Sequence, residues 1–184
     1  MSDLFIELLQ VSLGIRTQLS RVPDEAEWKY LLAEAKRQSI IGLLSVAFET
    51  LPYDQLPTKK FMLSWMSLVI PIQRANLLTT SVCGKLVQQF DAAGYDVCIL
   101  KGQANHRYYP DNLGDLRSSG DIDMWVAPKE ETDKPVKNII DYIDSTIGRS
   151  GLCWLHANSS FDGVYVEIHF HASFMSFGNG RGRT

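Results

Sequence analysis

The hydrophobic period of the chain changes once, near residue 92, and no other feature limits its architecture as much. Before that point apolar residues recur at helical spacing. In "PDEAEWKYLLAEAKRQSIIGLLSVAFE", Trp28, Leu31, Leu32 and Ala35 fall at i, i+3, i+4 and i+7, while Asp24 and Glu27 stand as N-cap and partner of a capping box. Ile40, Leu43, Leu44 and Ala47 resume the stripe beyond a weak point at Ser39 and Gly42, which fits two helices or one bent helix. Thr58 to Ala92 is helical in period again, with Pro71 expected to kink or split it. Beyond "DAAGY" the pattern turns to short apolar runs bounded by turn residues. "YDVCIL" and "DIDMWV" read as strands, and "CWLHAN" with "VYVEIHFHA" as a hairpin about Asp162-Gly163. Pro128 is placed as the first residue of a helix reaching to about Ile147, with Pro135 disturbing its first turns. The expectation is an α/β or α+β chain. A helical region, 1–92, precedes a core, 93–184, of about four strands in a mixed sheet flanked by helices.

Composition narrows the class. At 184 residues and 45% hydrophobic content, the chain can bury one good core, or one core with a helical annex. A net charge of -3 gives no bulk attraction to nucleic acid, so DNA binding is not expected. "MSDLFIELLQ" has no positive segment ahead of its apolar residues, and "FMLSWMSLVI" is too short to span a bilayer. The expected location is therefore the cytoplasm, with no membrane partner. Cys83, Cys98 and Cys153 are odd in number and contain no C-x-x-C pair, so they read as core filler.

The residues able to do chemistry lie in the second half. Side chains alternate along a strand, so Asp121, Asp123 and Trp125 share one face and Ile122, Met124 and Val126 the other. In the last strand Val164, Val166, Ile168 and Phe170 share an apolar face, leaving Tyr165, Glu167, His169 and His171 opposite. If those strands are neighbours, Glu167 joins the aspartates in a three-carboxylate cluster. Such a cluster needs protons or cations to stay together, and a hard divalent ion such as Mg²⁺ is its natural compensator. "LKGQ" follows a strand, where Gly102 allows a phosphate to approach the backbone and Lys101 and Arg117 add positive charge. A different metal chemistry is a three-histidine zinc site from His156, His169 and His171. Tyr108 and Tyr109 read as packing residues, His106 as a solvated loop residue, and the helices as a layer without chemistry.

"ILKGQANHRYYPDNLGDLRSSGDIDMWV" followed by "VYVEIHFH" resembles the uncharacterised nucleotidyltransferase family of the polymerase-beta-like nucleotidyltransferase superfamily. Leu100, Lys101 and Gly102 match that family's Leu-Lys-Gly turn, Arg117 its arginine, Gly120, Asp121 and Asp123 its metal motif, and Glu167 with His169 its third-carboxylate strand. His156 falls where members tend to carry a histidine. The resemblance implies that Asp121, Asp123 and Glu167 are catalytic and hold two Mg²⁺ (or Mn²⁺) ions. It also implies that Lys101, Gly102, Arg117 and Gly120 bind nucleotide phosphates, and that His156 and His169 support the metal ligands. The implied reaction is transfer of a nucleoside monophosphate from an NTP, ATP first among them, to an acceptor hydroxyl with loss of pyrophosphate. The acceptor is left open among a small molecule, a protein side chain and RNA.

Two departures qualify the match. Gln103 stands after Gly102 where the wider superfamily has a second small residue, and the stretch from Gln103 to Asp121 is longer than usual. The short tail after the last strand also suggests a fragment lacking an acceptor-binding region. A catalytically inactive module that keeps the fold to bind nucleotide or a partner is the alternative these features favour.

Overall fold

The computed structural model describes residues 3–109, 113–118 and 120–171. The chain divides into two compact units, one of residues 1–80 and 105–120, the other of residues 81–104 and 121–184.

The first unit is helical, with α1 (Asp3–Ser12), α2 (Glu25–Arg37), α3 (Ile41–Ser45), α4 (Ala47–Thr50) and the leading part of α5 (Lys59–Ala92). The capping box forms as its residues predict: Glu27 donates its backbone N–H to the Asp24 carboxylate and accepts the Asp24 N–H in return. At Ser39 the backbone enters the left-handed region with φ 57, which separates α2 from α3 and resolves the two-helix alternative in favour of separate helices. Phe5, Leu8, Leu31, Leu44 and Trp65 form the centre of the core, and the Trp65 indole N–H donates to the Ile41 carbonyl at 3.0 Å. Pro71 lies inside α5 without splitting it. A proline removes the hydrogen bond to the carbonyl four residues back, here Ser67, and both residues are exposed, so the lost bond falls on the solvent side of the helix.

The stretch expected to hold a short helix and turns contains two 3₁₀ segments, Gly102–Tyr108 and Leu113–Leu116. The fully buried Asn76 side chain of α5 donates to the carbonyls of Asp115 at 2.7 Å and Arg117 at 2.6 Å. On α3, a Cβ placed on Gly42 would stand 2.2 Å from the Leu116 carbonyl oxygen, so the apparent weak point in the helical stripe is a seat for passing backbone. His106 is paired with Asp115 at 3.0 Å and is no free loop residue, whereas Tyr108 and Tyr109 are 71% and 42% exposed and do not serve as core.

The second unit is a sheet backed by helices. Its strands are β1 (Tyr95–Ile99), β2 (Ile122–Pro128), β3 (Gly151–Leu152), β4 (His156–Phe161) and β5 (Val164–His169), in the order β1-β2-β5-β4-β3. The β2 and β5 strands run parallel and the other neighbours are antiparallel, which makes the sheet mixed as expected. Asp162 and Gly163 both have positive φ and turn β4 directly into β5, the two-residue hairpin their sequence announces. The helix opens at Pro135 and not, as expected, at Pro128. Pro128 ends β2, where no further ladder donor is needed, and Pro135 opens α6 (Pro135–Thr146), where a missing N–H costs nothing. One face of the sheet, with Ile122, Met124, Val126, Val166 and Ile168, packs against Leu86 and Phe90 of α5 and Ile139 and Ile143 of α6. Of the cysteines only Cys83 fills core, and burial pushes its thiol up to about 11; Cys98 and Cys153 are exposed. Among the described residues, no helix is long and apolar enough to cross a membrane.

Gly42→Ala is expected to destabilise the fold by about 1–3 kcal/mol, because backbone must shift to admit the methyl group; urea denaturation measures it. The Glu27 carboxyl is held down to about 2, first by the Arg21 guanidinium and then by the Asp24 N–H. A depressed carboxylate stabilises fully above its unfolded value of 4.5 and loses that contribution as pH falls toward about 2. Glu27→Gln is therefore expected to flatten the pH dependence of Tm across that window.

Candidate metal centre

The outward face of the sheet carries the polar residues that alternation assigns to it. Because β2 and β5 are parallel neighbours, Asp123 is registered with Glu167 and Trp125 with His169. On the other side of β5, Asn158 is registered with Glu167 and His156 with His169. Side chains in register on adjacent strands share a face at a separation of about 5 Å, so the pairing alone gathers these groups. Oxygen atoms of Asp121, Asp123 and Glu167 all lie within 4.8 Å of one another. The three-carboxylate cluster expected from the two strand patterns is present.

Three like charges at this spacing demand counter-charge. Lys101, immediately after β1, supplies it: its ammonium lies 3.0 Å from an oxygen of Asp123. That contact, with Asp121 and Glu167 nearby, raises the Lys101 pKa above its ordinary 10.5, so the charge is present at every physiological pH. The Lys101 side chain is 65% exposed and Asp123 only 3%, an exposed cation resting on a buried anion. His169 holds the other side of the cluster, with Nε2 3.2 Å from Asp123 and 3.5 Å from Glu167. His156 Nε2 stands 3.9 Å from Glu167, and the two imidazole rings lie 4.9 Å apart.

Gly102 follows Lys101 at φ 57, a left-handed conformation that glycine adopts without strain, and the chain turns there from β1 into the 3₁₀ segment. Arg117 and Gly120 belong to the helical unit, where the Arg117 carbonyl accepts from Asn76; the centre described here is built from the sheet unit alone. Asn76 itself escapes a reading that treats the helices as packing. Its signal is a polar residue on the buried stripe that runs through Trp65, Val69 and Thr79.

The donor set of Asp121, Asp123 and Glu167 is oxygen throughout, which suits a hard divalent ion and fits the Mg²⁺ or Mn²⁺ expected of it. The fold and this cluster define a mixed α/β protein with a candidate cation centre on the polar face of its sheet. Over residues 24–171 the chain matches the family model described as uncharacterised nucleotidyltransferase, and it belongs to that family. Comparisons with curated proteins and with solved structures give no match.

Lys101→Met is expected to lower Tm in metal-free buffer of low ionic strength, because the carboxylates lose their nearest cation. Added salt should restore most of the loss by screening their repulsion. Circular dichroism melts across a salt series test this, and an equal loss at all ionic strengths would assign Lys101 a packing role.

Proposed function

We infer that the chain transfers a nucleoside monophosphate from an NTP, ATP in the first instance, to an acceptor hydroxyl. The supporting observation is the convergence of Asp121, Asp123 and Glu167 in a member of a nucleotidyltransferase family. In this reaction the acceptor oxygen forms a bond to the α-phosphorus and the bond from that phosphorus to the bridging oxygen breaks. Pyrophosphate leaves and the hydroxyl proton passes to solvent.

Each residue has a part that follows from its surroundings. Asp121, Asp123 and Glu167 would hold the divalent ion, which would neutralise phosphate oxygens and lower the pKa of an oxygen nucleophile. Burial of Asp123 fixes its carboxylate, so little reorganisation accompanies binding. Lys101 is positively charged and exposed, able to turn from Asp123 to a phosphate oxygen. Gly102 offers close backbone approach beside it. His169 bridges two ligands and keeps their carboxylates turned inward.

The test starts without an acceptor. Wild-type protein is titrated with each NTP in Mg²⁺ or Mn²⁺ while Tm is followed, and the Asp121→Asn, Asp123→Asn protein is treated alike. A metal-dependent stabilisation of about 2.7 kcal/mol is expected at a hundredfold excess over Kd, and none in the variant. Pyrophosphate release is then measured with candidate acceptors. A well-folded wild-type protein that no nucleotide stabilises would overturn the assignment, and nucleotide binding without pyrophosphate release for any acceptor would make this a binding module.

A further inference from the structure

The geometry points to a second cation site beside the first: His156, Glu167 and His169 form a two-imidazole, one-carboxylate centre for a borderline divalent ion of the zinc class. Ligand atoms of these three residues all lie within 4.8 Å of one another. The residues come together because β4 and β5 are antiparallel neighbours that set His156 against His169, with Glu167 two positions earlier on the same face. The third member is Glu167, not the His171 that strand alternation alone offers for a zinc site.

The donor chemistry separates this group from the all-oxygen cluster. Two imidazole nitrogens with one carboxylate suit Zn²⁺ and its first-row neighbours, whereas Mg²⁺ favours oxygen ligands and water. The spacing also fits. Ligands at about 2.0–2.2 Å from an ion stand roughly 3.3–4.0 Å from each other; Glu167 Oε1 lies 3.9 Å from His156 Nε2 and its Oε2 lies 3.5 Å from His169 Nε2, so each imidazole faces one oxygen of the carboxylate. At 3.9 Å the carboxylate and His156 are too far apart to satisfy each other by hydrogen bonding. All three residues are partly exposed, which leaves room for water or a substrate oxygen as a further ligand.

A second and independent feature orients His156. The Cys153 Sγ lies 3.4 Å from His156 Nδ1. It is held there by accepting the backbone N–H groups of Leu155 and His156, each at 3.4 Å. A proton on Nδ1 donated to this sulfur leaves the Nε2 lone pair for an ion, the tautomer a ligating histidine needs. This is the outer-shell arrangement by which ligating histidines have their tautomer set, and Cys153 is thereby a positioning residue. Glu167 is common to the two clusters and His169 Nε2 also rests 3.2 Å from Asp123, so an ion here takes His169 in place of that contact; the proposal does not depend on nucleotidyl transfer.

Chelator-treated protein titrated with Co²⁺ tests it through the visible d–d absorption. One equivalent is expected to bind in the wild type and in Asp121→Asn, and a hundredfold excess of Mg²⁺ should not displace it. His156→Gln and His169→Gln are each expected to weaken binding at least tenfold, and Cys153→Ser about tenfold. Unchanged Co²⁺ binding in His156→Gln overturns the site, as does a loss in Asp121→Asn equal to that in His169→Gln, which would place the ion in the carboxylate cluster. Long-range ¹H–¹⁵N spectra of the unmutated chain need no variant to fold. Zn²⁺ should move the Nε2 signals of His156 and His169 and spare His106, and unmoved signals at the first two refute the proposal.

Discussion

Parallel pairing of β2 with β5 is the constraint on which the polar face depends. It sets Asp123 directly beside Glu167, an arrangement that costs energy in isolation because two carboxylates at neighbouring strand positions repel. The sheet tolerates it because its opposite face buries Ile122, Met124, Val166 and Ile168 against α5 and α6. Burial of that apolar face fixes the register, and a slip by one residue would turn every carboxylate into the core. Apolar packing on one side therefore enforces the crowding of charge on the other.

Much of this was legible in the residues, for a local reason. Period-2 alternation assigned Asp121, Asp123, Glu167 and His169 to their faces, and the Asp162-Gly163 turn placed the hairpin, because both signals are complete within a few residues. Adjacency of β2 and β5 was a different matter. The strands are joined through α6, β3 and β4, and no local pattern states which strands become neighbours, so Glu167 joined the aspartates only conditionally. Pro128 and Pro135 show the same limit: the rule for a helix-opening proline was sound, but strand length, set by pairing with β1, decided which proline it governed.

The residues that escaped notice are polar groups serving backbone. Asn76 occupies a core position on a helix and answers two carbonyls from the segment after Leu113, and Gly42 yields the space in which that segment passes. Each shows in the sequence as an interruption of an apolar stripe, which does not say what backbone it serves. Cys153 is similar, since its sulfur accepts two amide protons within a turn that composition alone reads as core filler.

Lys101 gives the cluster a property that a bare group of acids would lack. Its ammonium already rests against Asp123, so a cation arriving there would not meet an unscreened well of negative charge; it would have to replace a counter-ion tethered to the same chain. Binding would then be an exchange, with the displaced ammonium kept on its four-carbon arm beside the cluster. A cation arriving alone would gain only the difference between itself and the lysine. One arriving with a polyanion would gain a partner for the lysine as well, a bias toward the pair over either component.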